Sequence, residues 1–359
     1  MQSNIRRYDI DTIRVLALCL LIFYHIVVGF QPWSSSLYFI ANKDDLTMLW
    51  NFMELINIWR IPILFVVSGM AVNFASKKRN LYELFVDRTY RIFLPLFFGM
   101  FFIVPAYSLI AQGYYDHDYT YSPSPGHLWF LGHIFVYVLL FSPVFYFCKN
   151  RSATVAARLI SVIIEKPFGV LALFSLPLIL ESITINPEFY AGFASYPIHG
   201  LITGGICFCS GFMFMSLDGK FWKGVKDIRL ITFILAFSLY LIRIFEANQL
   251  SLNIVSSGLT AFEAACWMLS AFGFGAMYLN RPSKLLNYLT PAVYPLYIVH
   301  MPIQFLFSSL IFPLVIPAVP KLILLLLATY GGGLLIYEMV KKIKWARPLF
   351  GMKIYRDGY

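Results

Sequence analysis

The chain has 359 residues, of which 59% are hydrophobic and only 13% charged, with a formal net charge of +10. A mean hydropathy of +0.72 excludes both a soluble domain and a soluble protein with a single anchor. The basic residues fall in short clusters between apolar segments, a pattern of membrane topology rather than of nucleic-acid binding.

Apolar runs predict an all-α, polytopic integral membrane protein of about ten spans: 10–30, 48–75, 92–112, 128–148, 167–185, 199–217, 229–248, 258–279, 291–311 and 320–341. They read as one membrane domain, 1–359. The first run is too long for a cleaved signal segment and lacks a small-residue cleavage site, so it is expected to remain as a span. With both termini cytoplasmic, 24 of the 28 Lys and Arg fall on the inner side. Lys43 and Lys321 fall outside, and Arg60 and Arg243 fall within spans. The outer connections, such as GYYDHDYTYSPSPGH at 113–127, are aromatic, Pro-rich and free of Lys and Arg. They fit an interfacial belt, with a carbohydrate platform as the alternative. The five cysteines lie in or beside apolar segments, without zinc spacing, and read as buried small hydrophobes. Gly331–Gly333, and Gly273 with Gly275, are expected to permit close helix packing.

Five features can carry chemistry. In the first span, His25 lies eleven positions after Arg14, about 16 Å along a helix axis. An ionisable group at that depth is a functional candidate, with helix–helix hydrogen bonding as the bland alternative. Arg88 and Arg91, just before the third span, are three apart, and guanidinium forks suit phosphate. Lipid headgroup contact or plain positive-inside charge is the alternative, and by itself the commoner explanation of paired arginines. Arg60, inside NIWRIPILFVVSGM, needs a partner; Glu181, Glu246 and Glu263 are candidates on other spans. Pro62 and Ser68-Gly69 point to an irregular helix there. Tyr294, Tyr297 and His300 recur every third position on one helical face. His127 and His133 open the fourth span, the first of them expected at the membrane interface.

The broad classes separate on these features. A transporter or flippase for a glycan or lipid, with His25 and Arg60 lining the path, is expected to show repeat symmetry and paired broken helices, and no matching second half is seen. A scaffold held by buried polar groups would not need so many intramembrane charges. No two histidines stand four apart, so no metal is expected, and no GxSxG elbow is present. A buried base beside a cytoplasmic phosphate-binding candidate suits an enzyme that takes a phosphate-bearing donor.

Taken together, Arg14 with His25, Arg88-Thr-Tyr-Arg91, FVVSGM, HLWFL, Tyr294-x-x-Tyr297-x-x-His300, the opening Asp11-Thr-Ile-Arg14 and the closing IYEMVKKIKWARPLFGMK resemble the membrane acyltransferase-3 family. Arg60 with IPILFVVSG is most similar to the branch containing glucan biosynthesis protein C, which succinylates periplasmic glucans. The resemblance implies an acyl-CoA donor (succinyl-CoA or acetyl-CoA), a glycan hydroxyl acceptor, membrane lipids as surroundings and a bacterial inner-membrane location. It implies His25 as catalytic base, with Arg14 and His300 as further catalytic residues, and a donor site at Arg88 and Arg91. Arg60, Tyr297, Asp11 and Glu338 are its candidate substrate contacts. The acyl group, the acceptor sugar and the oligomeric state are not readable from the sequence.

Overall fold

The structure is a computed structural model that describes residues 6–149, 155–217, 219–248 and 256–353. Arg151 and Arg356, counted above among the inner basic residues, lie outside the described residues. Among the described residues there are helices and turns but no strands.

The helices are α1 (Tyr8–Val28), α2 (Met48–Asn57), α3 (Arg60–Ser76), α4 (Leu81–Tyr114), α5 (Trp129–Lys149), α6 (Val155–Ile164), α7 (Gly169–Ile185), α8 (Pro197–Ser216), α9 (Lys220–Asn248), α10 (Ser257–Leu279), α11 (Lys284–Ile311) and α12 (Ala318–Lys342). With α2 and α3 counted together, nine segments among the described residues are long and apolar enough to cross a membrane. The remaining expected span, 167–185, is the 17-residue apolar helix α7, at the short end of the spanning range. The fold is that of a polytopic helical membrane protein. Leu230, Ile234 and Leu241 on α9, and Leu324, Leu327 and Leu335 on α12, are exposed, as apolar side chains facing lipid would be.

Local chemistry sets several boundaries. Asp9 and Asp11 occupy the first turn of α1, where the helix dipole favours negative charge. A reciprocal cap opens α4: Asn80 Oδ1 accepts from the Glu83 backbone N–H at 2.8 Å, and Glu83 Oε2 from that of Asn80 at 3.0 Å. As a result α4 starts eleven residues before the expected third span. Arg88 and Arg91 therefore lie inside a helix, not ahead of one. They flank and enter a π-helical turn, Thr89–Phe93. The expected irregularity near Arg60 is present but displaced. The chain breaks between Asn57 and Arg60, and Pro62 sits in the first turn of α3, where a missing N–H leaves no helical bond unmade.

The described chain divides into two compact units. One comprises residues 1–17, 54–84 and 136–286, the other 18–53, 85–135 and 287–359. In the first, Ser68-Gly69 is regular helix at a tight crossing of α3 and α8. A Cβ on Gly69 would stand 1.9 Å from the Phe208 carbonyl oxygen, and one on Gly211 would stand 1.9 Å from that of Val66. Only glycine at both positions lets the backbones approach so closely. Arg243 of α9 ties the same unit together. Its guanidinium donates to Glu263 at 2.9 and 3.1 Å, and to the Glu54 carboxylate and carbonyl at 2.9 Å each. Glu181 pairs with His199 at 2.7 Å. Glu263 is thus engaged by Arg243 and Glu181 by His199.

In the second unit, Ile22 and Ile26 of α1 and Phe30 just after it pack with Leu296 and Phe305 of α11 and Leu325 of α12. Gly332 and Gly333 of α12 face Ile303 and Leu296 of α11 at contact distance, whereas Gly331 has nothing within 4 Å. Gly211→Val should therefore destabilise the detergent-solubilised protein by about 1–3 kcal/mol through overpacking. Gly331→Ala should leave it unchanged or stabilise it by up to about 1 kcal/mol. Thermal unfolding of the two variants checks this, and equal midpoints would contradict the α3–α8 crossing.

Candidate functional site

The second unit gathers three of the six histidines around α11. That helix carries Pro291, Pro295 and Pro302. A proline has no N–H, so the carbonyl four residues before it is left without a helical donor. For Pro302 that carbonyl belongs to Ile298. His127, from the turn before α5, takes its place: Nε2 stands 3.2 Å from the Ile298 oxygen. A carbonyl only accepts, so Nε2 carries the proton, and Nδ1 of a neutral His127 carries a lone pair. That Nδ1 is buried and has no hydrogen-bond partner among the described residues. In return, the Tyr297 hydroxyl donates to the His127 carbonyl at 2.6 Å.

The same reasoning orders the central pair. His300 Nδ1 lies 2.7 Å from the Tyr297 carbonyl oxygen, so it must donate. In a neutral ring Nε2 is then the acceptor. Its partner is His25 Nδ1, 2.9 Å away. His25 therefore donates from Nδ1, which leaves its Nε2 as the atom able to take a proton. The two rings are near parallel, 18° apart, with centroids 5.1 Å apart. His127 meets His300 edge-on, at 4.9 Å and 86°. Gln304, one turn past His300, donates to the His25 carbonyl at 2.7 Å, and its own oxygen is buried without a partner. His300 and Gln304 are almost fully buried, and His25 is partly accessible.

The arrangement orients one imidazole through a second, as the groups of a catalytic triad are oriented. One ring is oriented by a second group, which is itself oriented by a third. Here the third group is a main-chain carbonyl and the second a neutral imidazole. Among the described residues no cluster of three or more potential metal ligands occurs.

The other expected site residues lie elsewhere in the fold. Arg88 and Arg91 belong to the second unit, with Asp87 at 3.9 and 4.0 Å. Tyr294 is near enough to both for their charges to act on it. Arg14 and Asp11 share the N-terminal part of α1, 3.7 Å apart, and Asp11 also accepts from Arg6 at 2.9 Å. Arg60 is buried in the first unit. Glu338 sits in the last turns of α12 with Lys341 at 3.1 Å, and is partly exposed. His133 packs edge-on against Trp129, with 5.0 Å between centroids. His127, expected at the interface, is a member of the cluster. The signal that would have found it is Pro302, four residues after Ile298.

A model of the acyltransferase-3 family, described as an acyltransferase domain, matches residues 7–338, and the chain belongs to that family. No curated protein and no solved structure matches it. For an acyltransferase, the pair predicts that His300→Ala lowers acyl transfer by about 10²-fold or more while the protein stays folded. His300→Gln should recover part of the loss, since its amide oxygen can accept the same bond. Wild-type turnover in His300→Ala would dismiss the pair from the chemistry.

Proposed function

We propose that this acyltransferase carries an acyl group, succinyl or acetyl, from cytoplasmic acyl-CoA to a hydroxyl of an extracytoplasmic glycan at a bacterial inner membrane. The observation that carries the reading is the His25–His300 hydrogen bond, with every proton along it assigned. A periplasmic glucan is the proposed acceptor, on the resemblance of the Arg60 segment to the glucan biosynthesis protein C branch.

In this reading the acceptor hydroxyl gives its proton to His25 Nε2 as its oxygen attacks the thioester carbonyl. The tetrahedral intermediate collapses with cleavage of the C–S bond. The CoA thiolate leaves and takes the proton back from the imidazolium. Throughout, His25 Nδ1–H stays on His300 Nε2, which stabilises the developing charge and prevents the ring from turning. The step needs a neutral His25 at the start and releases no net proton. Arg88 and Arg91 hold the CoA phosphates by charge-assisted hydrogen bonds.

Arg14 serves the donor, and Arg60, Asp11 and Glu338 remain proposed substrate contacts. For Tyr297 the geometry supports a narrower role. Its single hydroxyl proton is committed to the His127 carbonyl, so it orients the histidine turn and can only accept from a substrate.

Purified protein should release free thiol from an acyl-CoA when a glycan acceptor is present, and His25→Ala should abolish that release. Thiol release from His25→Ala at the wild-type rate would refute the base assignment. Combined Arg88→Ala and Arg91→Ala should weaken CoA binding by about tenfold or more without altering acceptor affinity. Unchanged CoA affinity would return the two arginines to topological charge.

A further inference from the structure

The second unit contains one more polar group without a role in the scheme above. Tyr294 lies six residues before His300 on α11, and its hydroxyl is buried with no hydrogen-bond partner among the described residues. A buried, unbonded hydroxyl is costly, so its retention needs a reason. The segment around it is built tightly. After α12 the chain makes a short turn, Arg347–Phe350, which ends on Gly351 at φ +69°, a conformation that favours glycine. Gly351 lies against the Tyr294 ring. A Cβ there would stand 2.2 Å from the ring edge and 3.1 Å from the Arg91 carbonyl oxygen. Phe350 also packs edge-on against Phe98 of α4, centroids 5.5 Å apart. The C-terminal turn thus presses Tyr294 against the segment that bears Arg88 and Arg91. Both guanidinium groups are near enough to act electrostatically on the phenol.

We propose that the Tyr294 hydroxyl is a third donor of the phosphate-binding site formed with Arg88 and Arg91, held in place by the turn at 347–351. This rests on the reading of the two arginines as the donor site. The chemistry is consistent within the site. Two guanidinium groups, partly offset by Asp87, leave net positive charge, and a phosphate oxygen accepts from a phenol as readily as from a guanidinium. A bound phosphate would supply the acceptor that the hydroxyl lacks among the described residues. Phosphate can come from two sources, the nucleotide end of CoA or a lipid headgroup, and the proposal commits to CoA.

The test uses the full chain in phosphatidylcholine nanodiscs, with Tyr294→Phe as the variant. Binding of CoA and of pantetheine, which lacks phosphate, is measured by calorimetry. Tyr294→Phe should weaken CoA by about tenfold and leave pantetheine unchanged. The thermal midpoint without ligand should be retained or raised, and the increase caused by CoA should shrink. In an Arg91→Ala background the effect of Tyr294→Phe should be smaller, because the groups share one ligand. If the arginine variants weaken CoA but Tyr294→Phe does not, the tyrosine proposal falls and the donor site stands. If none of the three changes CoA affinity, both fall. If Tyr294→Phe alters binding of added phosphatidylglycerol and not of CoA, the site holds a lipid headgroup and the proposal is overturned.

Discussion

A main-chain carbonyl determines the direction of every proton in the imidazole group. The Tyr297 oxygen can only accept, so His300 must donate to it, and His25 must in turn donate to His300. No carboxylate is needed to select the tautomer. In a low-dielectric interior this has an advantage over an Asp–His pair: it places no unpaired negative charge among apolar helices, where such a charge is costly. The consequence is a weaker stabiliser for the imidazolium, since a neutral ring offers a dipole and not a charge.

One proline of α11, Pro302, adds the third imidazole to the group. In a soluble helix Pro302 would be a defect; here it releases a carbonyl at a depth where water cannot satisfy it, and a histidine from a neighbouring segment takes it. His127 is anchored twice, through its ring to Ile298 and through its own carbonyl to Tyr297. The first unit handles its buried polarity differently. There Arg243 is held by the carboxylates of Glu54 and Glu263, and His199 by Glu181.

Much of this was legible in the residues. Apolar length gave the spans, because a helix is one of few ways to satisfy backbone groups in lipid. His25 and His300 stood out as ionisable groups in apolar runs. What could not be read was which groups meet. Arg60 and Arg243 were equally anomalous in sequence, yet Glu263 lies against Arg243, since pairing depends on how α9 and α10 pack and not on spacing along the chain. The start of α4 was missed because residues 81–91 are too polar for an apolar run, although the Asn80–Glu83 cap is a local signal that could have moved the boundary. Ser68-Gly69 looked like a helix breaker and is instead a place where two backbones touch. His127 was placed at the interface by its position before a span, when the informative residue was a proline 175 positions later.

The most direct test of the central claim is the protonation of each imidazole nitrogen, read from ¹⁵N chemical shifts of histidine-labelled protein in lipid at neutral pH. The account predicts that His25 carries its proton on Nδ1 with an unprotonated Nε2, and that His300 carries its proton on Nδ1. A His25 protonated on Nε2, or on both nitrogens, would leave no lone pair at Nε2 to receive a hydroxyl proton and would contradict it.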